Sequence, residues 1–203
     1  MALTIYGSPR SRTMRVLWLA AELGLDYEHV PLAWDDPALK QPDFLKINPA
    51  GSVPVIVDDG FALSESLAIC LYLAKKHGST GPAPLYPAAP EAEAEVWRWC
   101  LWAQGHLEPW VQRDARMIPL RAVAGEEILA QTSAPLTQLE QALATRDGLI
   151  GDHFSIADFC VCSVLSPSRT VHLDLEPYPA LRGWLERCHG RPAALATRRR
   201  FLD

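Results

Sequence analysis

The stretch GSTGPAPLYPAAP, residues 78–90, constrains the fold of this 203-residue chain more than any other segment. It holds four prolines and two glycines, and that density prevents regular structure because proline fixes φ and lacks a backbone donor. Strand and helix patterns alternate before it, whereas only helical patterns follow it. The sequence therefore predicts a domain at 1–77, a linker at 78–89 and a second domain at 90–203.

The first domain is predicted to be mixed α/β. Apolar runs bounded by turn residues indicate strands, and an apolar face that repeats with helical period indicates each helix. The sequence Asp58-Asp59-Gly60 is a hairpin signal between two of the strands. The predicted elements are a strand at 3–7, a helix at 12–23, a strand at 27–32, a helical turn at 44–46, strands at 53–57 and 61–63, and a helix capped by Ser64 that ends near residue 76.

The second domain is predicted to be an all-α bundle, with helices at 90–117, 122–145, 155–165 and 178–189. The third helix begins in GDHFSIADF, where Ser155 is a good N-cap and Asp158 completes a capping-box variant. Phe154 and Phe159 have the spacing of a hydrophobic staple. The predicted fold is thus a β-α-β-β-β-α domain followed by helices.

Composition and charge exclude several classes of function. A formal net charge of −5 disfavours a general nucleic-acid binder. No apolar run approaches the roughly 18 residues of a membrane helix, and the N-terminus lacks a signal-peptide pattern, which predicts a cytosolic protein. The run Arg198-Arg199-Arg200 is expected to be a solvated tail.

Metal and disulfide chemistry are also disfavoured. The five cysteines form no CxxC pair, and the six histidines show no metal-site spacing with one another or with the cysteines. We expect reduced, mostly buried cysteines and no metal. The cysteines are Cys70, Cys100, Cys160, Cys162 and Cys188.

The stretch YGSPRSRTMRVLWL, residues 6–19, passes from a strand into a helix and carries Arg10, Arg12 and Arg15 at the turn. Cations oppose the macrodipole at a helix N-terminus, where anions are favoured by a few tenths to about 1 kcal/mol. Either these side chains face only solvent, or an anion binds among them.

A second candidate site lies in GSVPVIVDDGFALSES, residues 51–66. Pro54 opens a strand and places Val53 at an edge or a bend. If the Val53–Pro54 bond is cis, the backbone of Val53 faces outward and can pair with an extended peptide. Ser66 and the free N–H groups of a helix start suit a carboxylate, and Glu65 suits an ammonium group, although a capped helix alone also explains this sequence.

Together these features resemble the cytosolic glutathione S-transferase family, in its serine-type, bacterial theta/phi-like form. The likeness rests on the order of the β-α-β-β-β-α half, Ser-Val-Pro at 52–54, Glu65-Ser66, the proline-rich linker and the helical second half, and it spans essentially the whole chain. The segment GDHFSIADF is similar to a folding module of that family. The resemblance implies a thioredoxin-like first domain in a cytoplasmic, homodimeric detoxification enzyme.

The resemblance also implies how glutathione is held. Val53, before a cis-Pro54, would hydrogen-bond the cysteinyl backbone, and Glu65 and Ser66 would hold the γ-glutamyl end. Lys40 and Gln41 would reach the glycyl carboxylate, and the helical bundle would form the wall of an open electrophile site. Glutathione is a co-substrate here, and no cofactor is expected.

Family members carry their thiol-activating residue in the loop after the first strand. This loop has no cysteine, which counts against the disulfide-exchanging classes, and Ser11 best matches the serine classes. Ser8, Thr13 and Tyr6 remain alternatives because one sequence does not fix the loop spacing.

Three functions are compatible with these residues. The leading one is glutathione conjugation to small hydrophobic electrophiles, with Arg12 or Arg15 helping to hold the thiolate or the glutathione carboxylates. For Arg15, a structural ion pair across the domain interface is an equal alternative. The other two functions are glutathione-dependent peroxide or disulfide reduction and a non-catalytic scaffold. The presence together of Ser11 and the glutathione-site residues favours the enzymes.

Overall fold

The computed structural model describes residues 2–81, 83–111, 125–166 and 173–202, with backbone only at 125–130. The chain forms two compact units. The sheet unit comprises Met1–Thr80 and Arg191–Asp203, and the helical unit comprises Gly81–Gly190. The α/β-then-α fold class is confirmed, but the last thirteen residues group with the sheet unit rather than with the bundle.

The sheet unit is built on four strands in the order β2-β1-β3-β4. Strand β1 pairs in parallel with β2 and antiparallel with β3, and β3 pairs antiparallel with β4. Ile5 faces Ile56 at the centre of the sheet, and both side chains are fully buried. The strands are β1 (Leu3–Tyr6), β2 (Glu28–Val30), β3 (Val55–Asp58) and β4 (Phe61–Ser64).

The first three helices of the sheet unit follow the predicted order, and the fourth, at the C-terminal end of the chain, was not predicted. They are α1 (Thr13–Glu22), α2 (Pro42–Ile47) after a 3-10 turn (Pro37–Lys40), α3 (Ser66–His77) and α9 (Pro192–Phe201). The predicted cap at Ser64 is wrong, because Ser64 pairs with Val55 in the β3–β4 ladder and Glu65 occupies the N-cap position instead.

Helix α9 joins the sheet unit through contacts that are distant in sequence. The guanidinium of Arg191 donates to both carboxylate oxygens of Glu22, with Nε–Oε1 at 3.0 Å and Nη2–Oε2 at 2.9 Å. The ring of Phe201 packs edge-on against His29, with centroids 5.3 Å apart. Arg198, Arg199 and Arg200 form the last turn of this helix, where positive charge suits the macrodipole, so the expected tail is wrong.

Helices are the only regular secondary structure of the helical unit in the residues that the structure describes. They are α4 (Pro90–Trp102), a π-helical turn (Ala103–Leu107), α5 (Glu108–Val111), α6 (Gly125–Leu143), α7 (Ile156–Val164) and α8 (Pro179–His189). The predicted continuation of the first helix from 112 to 117, and the predicted start of the second at 122–124, lie outside the described residues. All five cysteines of the chain are buried, and none of them forms a disulfide.

The capping box of α7 is confirmed and extends beyond the helix itself. The Ser155 backbone N–H and hydroxyl donate to Asp158 Oδ2 at 3.0 and 2.7 Å. The Leu149 N–H and the Trp184 indole N–H each donate to Oδ1 at 2.9 Å. The fully buried Asp158 carboxylate therefore ties three segments of the unit together. The staple between Phe154 and Phe159 stays a prediction.

The β3–β4 hairpin contains Asp58, a carboxyl group whose pKa is shifted by its surroundings. Asp58 is buried and accepts hydrogen bonds from the Tyr72 hydroxyl at 2.9 Å and from Lys76 Nζ at 2.7 Å. Burial alone would raise the pKa of Asp58, but the hydrogen bonds from Lys76 and Tyr72 outweigh it and hold the pKa below its usual value. A carboxyl whose folded pKa is lowered stabilises the fold above its unfolded pKa, and this stability is lost as the pH falls through the folded pKa.

Asp58→Asn is accordingly expected to lower the free energy of unfolding by about 1–2 kcal/mol at pH 7, because it removes the charge from these bonds. The deficit should shrink as the pH falls below ~4, where the unfolded carboxyl becomes protonated, and should vanish below the lower folded pKa. Urea denaturation at pH 7 and pH 3 measures both values. Asp43→Asn is the control, since Asp43 pairs with Lys46 on the exposed surface. A deficit that is equal at both pH values would contradict this role.

Candidate active site

The loop after β1 is packed tightly against helix α1 and against the residue before Pro54. Gly7 has φ +128°, and a Cβ there would lie 2.9 Å from Val53 Cβ and even closer to Thr13 Oγ1. A side chain would therefore collide with Val53 and Thr13 as well as strain the backbone. The glycine allows the start of the loop, the start of α1 and Val53 to come together.

Ser11 lies at the N-terminus of α1 with a largely buried hydroxyl, its residue being 9% exposed. Its Oγ donates to the Ser8 carbonyl at 2.7 Å and accepts from the Thr13 N–H at 3.1 Å. The Thr13 hydroxyl lies 2.8 Å from the same atom. The positive dipole end of α1 favours an anion beside this hydroxyl.

The three alternative residues of the loop have different surroundings. Thr13 is fully buried. The Tyr6 ring is half-buried and packs edge-on against Phe44, with centroids 6.0 Å apart. The Ser8 hydroxyl accepts from the Arg10 backbone N–H at 3.2 Å, so it closes a turn within the loop.

The three arginines differ in position. Arg10 and Arg12 are exposed at the start of α1, whereas Arg15 is buried. Arg15 Nη1 donates to Ser66 Oγ at 3.2 Å. Arg15 therefore connects α1 to the first residue of α3, which is where a carboxylate site was predicted.

The predicted γ-glutamyl pair lies where β4 turns into α3. Ser66 is the first residue of the helix, and its side chain is buried. Glu65 is exposed and has φ +70° and ψ +113°, an unusual conformation for a residue with a side chain. Such conformations cost about 1–3 kcal/mol, and they cluster at functional sites, where the surrounding structure enforces them. The backbone thus turns sharply at Glu65.

The Val53–Pro54 peptide bond is cis. Pro54 is buried and directly precedes β3. Sequence reasoning missed Asn48, which braces this segment: its Nδ2 donates to the Ser52 carbonyl at 2.8 Å, and its Oδ1 accepts from the Ala50 N–H at 3.2 Å. An asparagine before a Pro-Ala-Gly turn is a recognisable signal for such a bond.

Lys40 and Gln41 precede α2. Lys40 Nζ donates to the carbonyls of Gly51 at 2.8 Å and Ala50 at 3.4 Å, so it borders the segment that leads to Val53. An ammonium group has three N–H donors, so one remains for another acceptor. Gln41 is exposed at the N-cap position of α2.

A second residue missed by sequence reasoning is His29 in β2. Its Nε2 lies 2.9 Å from the Gly7 carbonyl oxygen and must carry the proton, because the carbonyl can only accept. This bond holds the beginning of the loop against the sheet. No sequence signal identified it, since a histidine in a short strand is not diagnostic of a partner.

The described residues contain no helix long and apolar enough to cross a membrane. Within the same residues, no group of three or more histidine, cysteine, aspartate or glutamate side chains could hold a metal ion. The candidate site residues of the sheet unit thus supply a hydroxyl at a helix N-terminus, one buried and two exposed guanidinium groups, and an exposed carboxylate.

Comparison with known proteins gives concordant matches. The sequence family described as "Glutathione S-transferase, N-terminal domain" matches residues 1–75, and "Glutathione S-transferase, C-terminal domain" matches residues 108–187. The chain is 34% identical to glutathione S-transferase 3 of Zea mays, over 94% of this chain and 90% of that protein.

Two solved structures are similar over nearly their whole length. One is glutathione transferase F7 from Populus trichocarpa, with a TM-score of 0.80, 28% identity and coverage of 97% of this chain and 98% of that one. The other is glutathione S-transferase III in its apo form, with a TM-score of 0.80, 32% identity and coverage of 100% and 98%.

Proposed function

The chain belongs to the glutathione S-transferase family, and from this premise we propose that Ser11 stabilises the thiolate of glutathione bound to the sheet unit. The protein is a glutathione transferase. The observation that carries the assignment of Ser11 is its hydroxyl at the N-terminus of α1, with its hydrogen bonded only to a loop carbonyl. That hydrogen can turn to an incoming sulfur.

Ser11 is preferred to its alternatives on the surroundings of each side chain. Thr13 is fully buried, so its hydroxyl cannot reach a ligand without rearrangement. Tyr6 is held in an apolar cluster by Phe44, and the Ser8 hydroxyl is used within the loop. Ser11 is 9% exposed, compared with 0% for Thr13, and lies at the favourable end of the helix dipole.

The remaining glutathione contacts are assigned by family likeness and by position in the sheet unit. Val53, next to Pro54, would pair with the cysteinyl backbone, and Glu65 and Ser66 would hold the γ-glutamyl ammonium and carboxylate. Lys40 and Gln41 would bind the glycyl carboxylate. Arg12 would be an exposed cation beside the thiolate.

The proposed chemistry requires no further base or metal in the described residues. A free thiol has a pKa of about 8.5, and a hydrogen bond from Ser11 together with the positive end of α1 favours its anion. Lowering the pKa of the thiol by about two units, roughly 2.7 kcal/mol, would leave the thiol mostly ionised at neutral pH. The sulfur lone pair then forms a bond to an electrophilic carbon as the leaving group departs with its electron pair, and the thiol proton passes to solvent.

Two simple measurements test this function. Wild-type protein should be retained on glutathione-agarose and should then conjugate glutathione to a chloronitrobenzene. Turnover of a hydroperoxide without conjugation would favour the alternative, glutathione-dependent reduction. Failure to bind glutathione would leave only the non-catalytic scaffold.

The setting of the enzyme is also part of the proposal. We propose a cytoplasmic homodimer that acts in detoxification of small hydrophobic electrophiles, with glutathione as co-substrate, no other cofactor, and no nucleic-acid or membrane partner. Exposed apolar side chains, such as Phe61 on β4 and Leu101 on α4, are candidates for the dimer interface. Sedimentation of the purified protein tests the dimer.

Arg15 gives a separate test of the γ-glutamyl site. Because its guanidinium donates to Ser66, Arg15→Ala is expected to weaken glutathione binding about tenfold, the equivalent of about 1.4 kcal/mol, by releasing the Ser66 hydroxyl. Isothermal titration with glutathione measures the loss, and circular dichroism checks the fold. Arg10→Ala, an exposed change in the loop before α1, is the matched control. Unchanged affinity in Arg15→Ala would show that Ser66 does not depend on this contact.

A further inference from the structure

The hydrogen bonds around Ser11 fix which atom carries each proton. A serine hydroxyl has one hydrogen and two acceptor positions. The hydrogen of Ser11 points to the Ser8 carbonyl at 2.7 Å, and a carbonyl can only accept. In the 2.8 Å contact with Thr13, the donor must therefore be the Thr13 hydroxyl.

Ser11 Oγ consequently has no acceptor position left. It accepts hydrogen bonds from the Thr13 N–H at 3.1 Å and from the Thr13 hydroxyl at 2.8 Å. An incoming thiol cannot pass its proton to this oxygen while both bonds persist. The only change open to Ser11 is to redirect its own hydrogen, so the surrounding bonds make it a donor.

Redirecting that hydrogen leaves no buried group unpaired. The Ser8 carbonyl also accepts the Ser11 backbone N–H at 2.9 Å, and this bond does not depend on the side chain. The Ser11 hydrogen can therefore leave the carbonyl for a ligand without the usual cost of stranding a buried acceptor.

Thr13 is itself held in place. It is fully buried, and a Cβ at Gly7 would collide with its Oγ1 and its Cβ, so its side chain lies directly against the backbone of the loop. A donor fixed in this way polarises the hydroxyl that accepts from it, because hydrogen bonds in a chain strengthen one another.

We propose that Thr13 is a positioning residue which, by donating its hydroxyl hydrogen to Ser11 Oγ, keeps Ser11 as a hydrogen-bond donor toward the glutathione thiolate. The inference rests on the proposed role of Ser11. Thr13 does not touch the ligand, and its whole effect passes through Ser11.

The test uses Thr13→Val and Thr13→Ala, which both remove the hydroxyl but leave side chains of different volume. Thr13→Ser keeps the hydroxyl. The readout is the pKa of bound glutathione, followed by ultraviolet absorbance of the thiolate. Loss of a bond worth about 0.5–1.5 kcal/mol should raise that pKa by about half a unit to one unit in the first two variants. Thr13→Ser should titrate like wild type.

The activity profile distinguishes positioning from packing. In Thr13→Val and Thr13→Ala, kcat/KM should fall about threefold to tenfold near pH 6.5 and recover above the shifted pKa, with glutathione affinity within about twofold of wild type. A packing defect would instead lower kcat/KM at every pH. Thr197→Val is the matched control: it removes a buried threonine hydroxyl that donates only to the Ala193 carbonyl in α9, and it should change neither profile.

A double variant separates this inference from the proposed function. Ser11→Ala should raise the thiol pKa, and adding Thr13→Val to it should raise it no further, because the two residues act through one atom. If Ser11→Ala shifts the pKa but Thr13→Val and Thr13→Ala do not, or if the double variant is additive, the inference is overturned and the proposed function stands. If Ser11→Ala itself shifts nothing, both are overturned.

Discussion

Ser11→Ala is expected to lower the turnover of a chloronitrobenzene substrate at least tenfold, equivalent to about 1.4 kcal/mol of transition-state stabilisation. The alanine removes the hydrogen that would stabilise the thiolate, together with the oxygen that accepts the Thr13 N–H at the start of α1. Glutathione affinity should change little, because the backbone and carboxylate contacts lie elsewhere in the sheet unit. Steady-state kinetics at saturating glutathione measure the loss.

The control for Ser11→Ala is Ser163→Ala, which removes another buried serine hydroxyl, one that donates to the Cys160 carbonyl within α7. Its turnover should equal that of wild type. Unchanged turnover in Ser11→Ala itself would contradict the assignment and would transfer the role to Ser8, Thr13 or Tyr6.

Asp158→Ala is expected to have the largest effect on stability, a loss of about 4 kcal/mol in the free energy of unfolding of the helical unit. Its carboxylate accepts four hydrogen bonds without exposure to solvent. Removing it leaves the Leu149 N–H, the Ser155 N–H and the Trp184 indole N–H buried without this acceptor, and each such group costs about 1–3 kcal/mol. Urea denaturation followed by tryptophan fluorescence and circular dichroism measures the change.

Two further variants make the Asp158 test specific. Asp152→Ala, an exposed change in the loop before α7, should leave the urea midpoint unchanged. Asp158→Asn keeps one acceptor oxygen and should fall between wild type and Asp158→Ala. A loss below about 1 kcal/mol in Asp158→Ala would show that the four donors find other partners.

Features that depend on residues close together in the chain were predictable from the sequence. The apolar face of α1 and the Ser155–Asp158 box each depend on residues within one or two helical turns, so their patterns suffice. The N-cap of α3 was misplaced by one residue, at Ser64 instead of Glu65. Ser64 is a good cap by type, and only the ladder with Val55 assigns it to a strand.

Features that depend on distant residues were not predictable. Sequence order indicated Ser11, Val53 and Glu65 as candidates, but the bracing contacts of Asn48 and His29 appear only when the loops are folded. The bond from Arg15 to Ser66 joins residues 51 positions apart, and no local pattern indicated it. The ligand contact and the ion pair of Arg15 both stay predictions.

Because α9 belongs to the sheet unit, the ribosome completes the helical unit first, although the sheet unit begins earlier in the sequence. The contact between Glu22 and Arg191 joins residues 169 positions apart, and all of Gly81–Gly190 is translated between them. The nascent chain therefore contains the complete helical unit before it contains the complete sheet unit. The part of the protein that is synthesised first, and that carries Ser11, is the last to acquire all of its contacts.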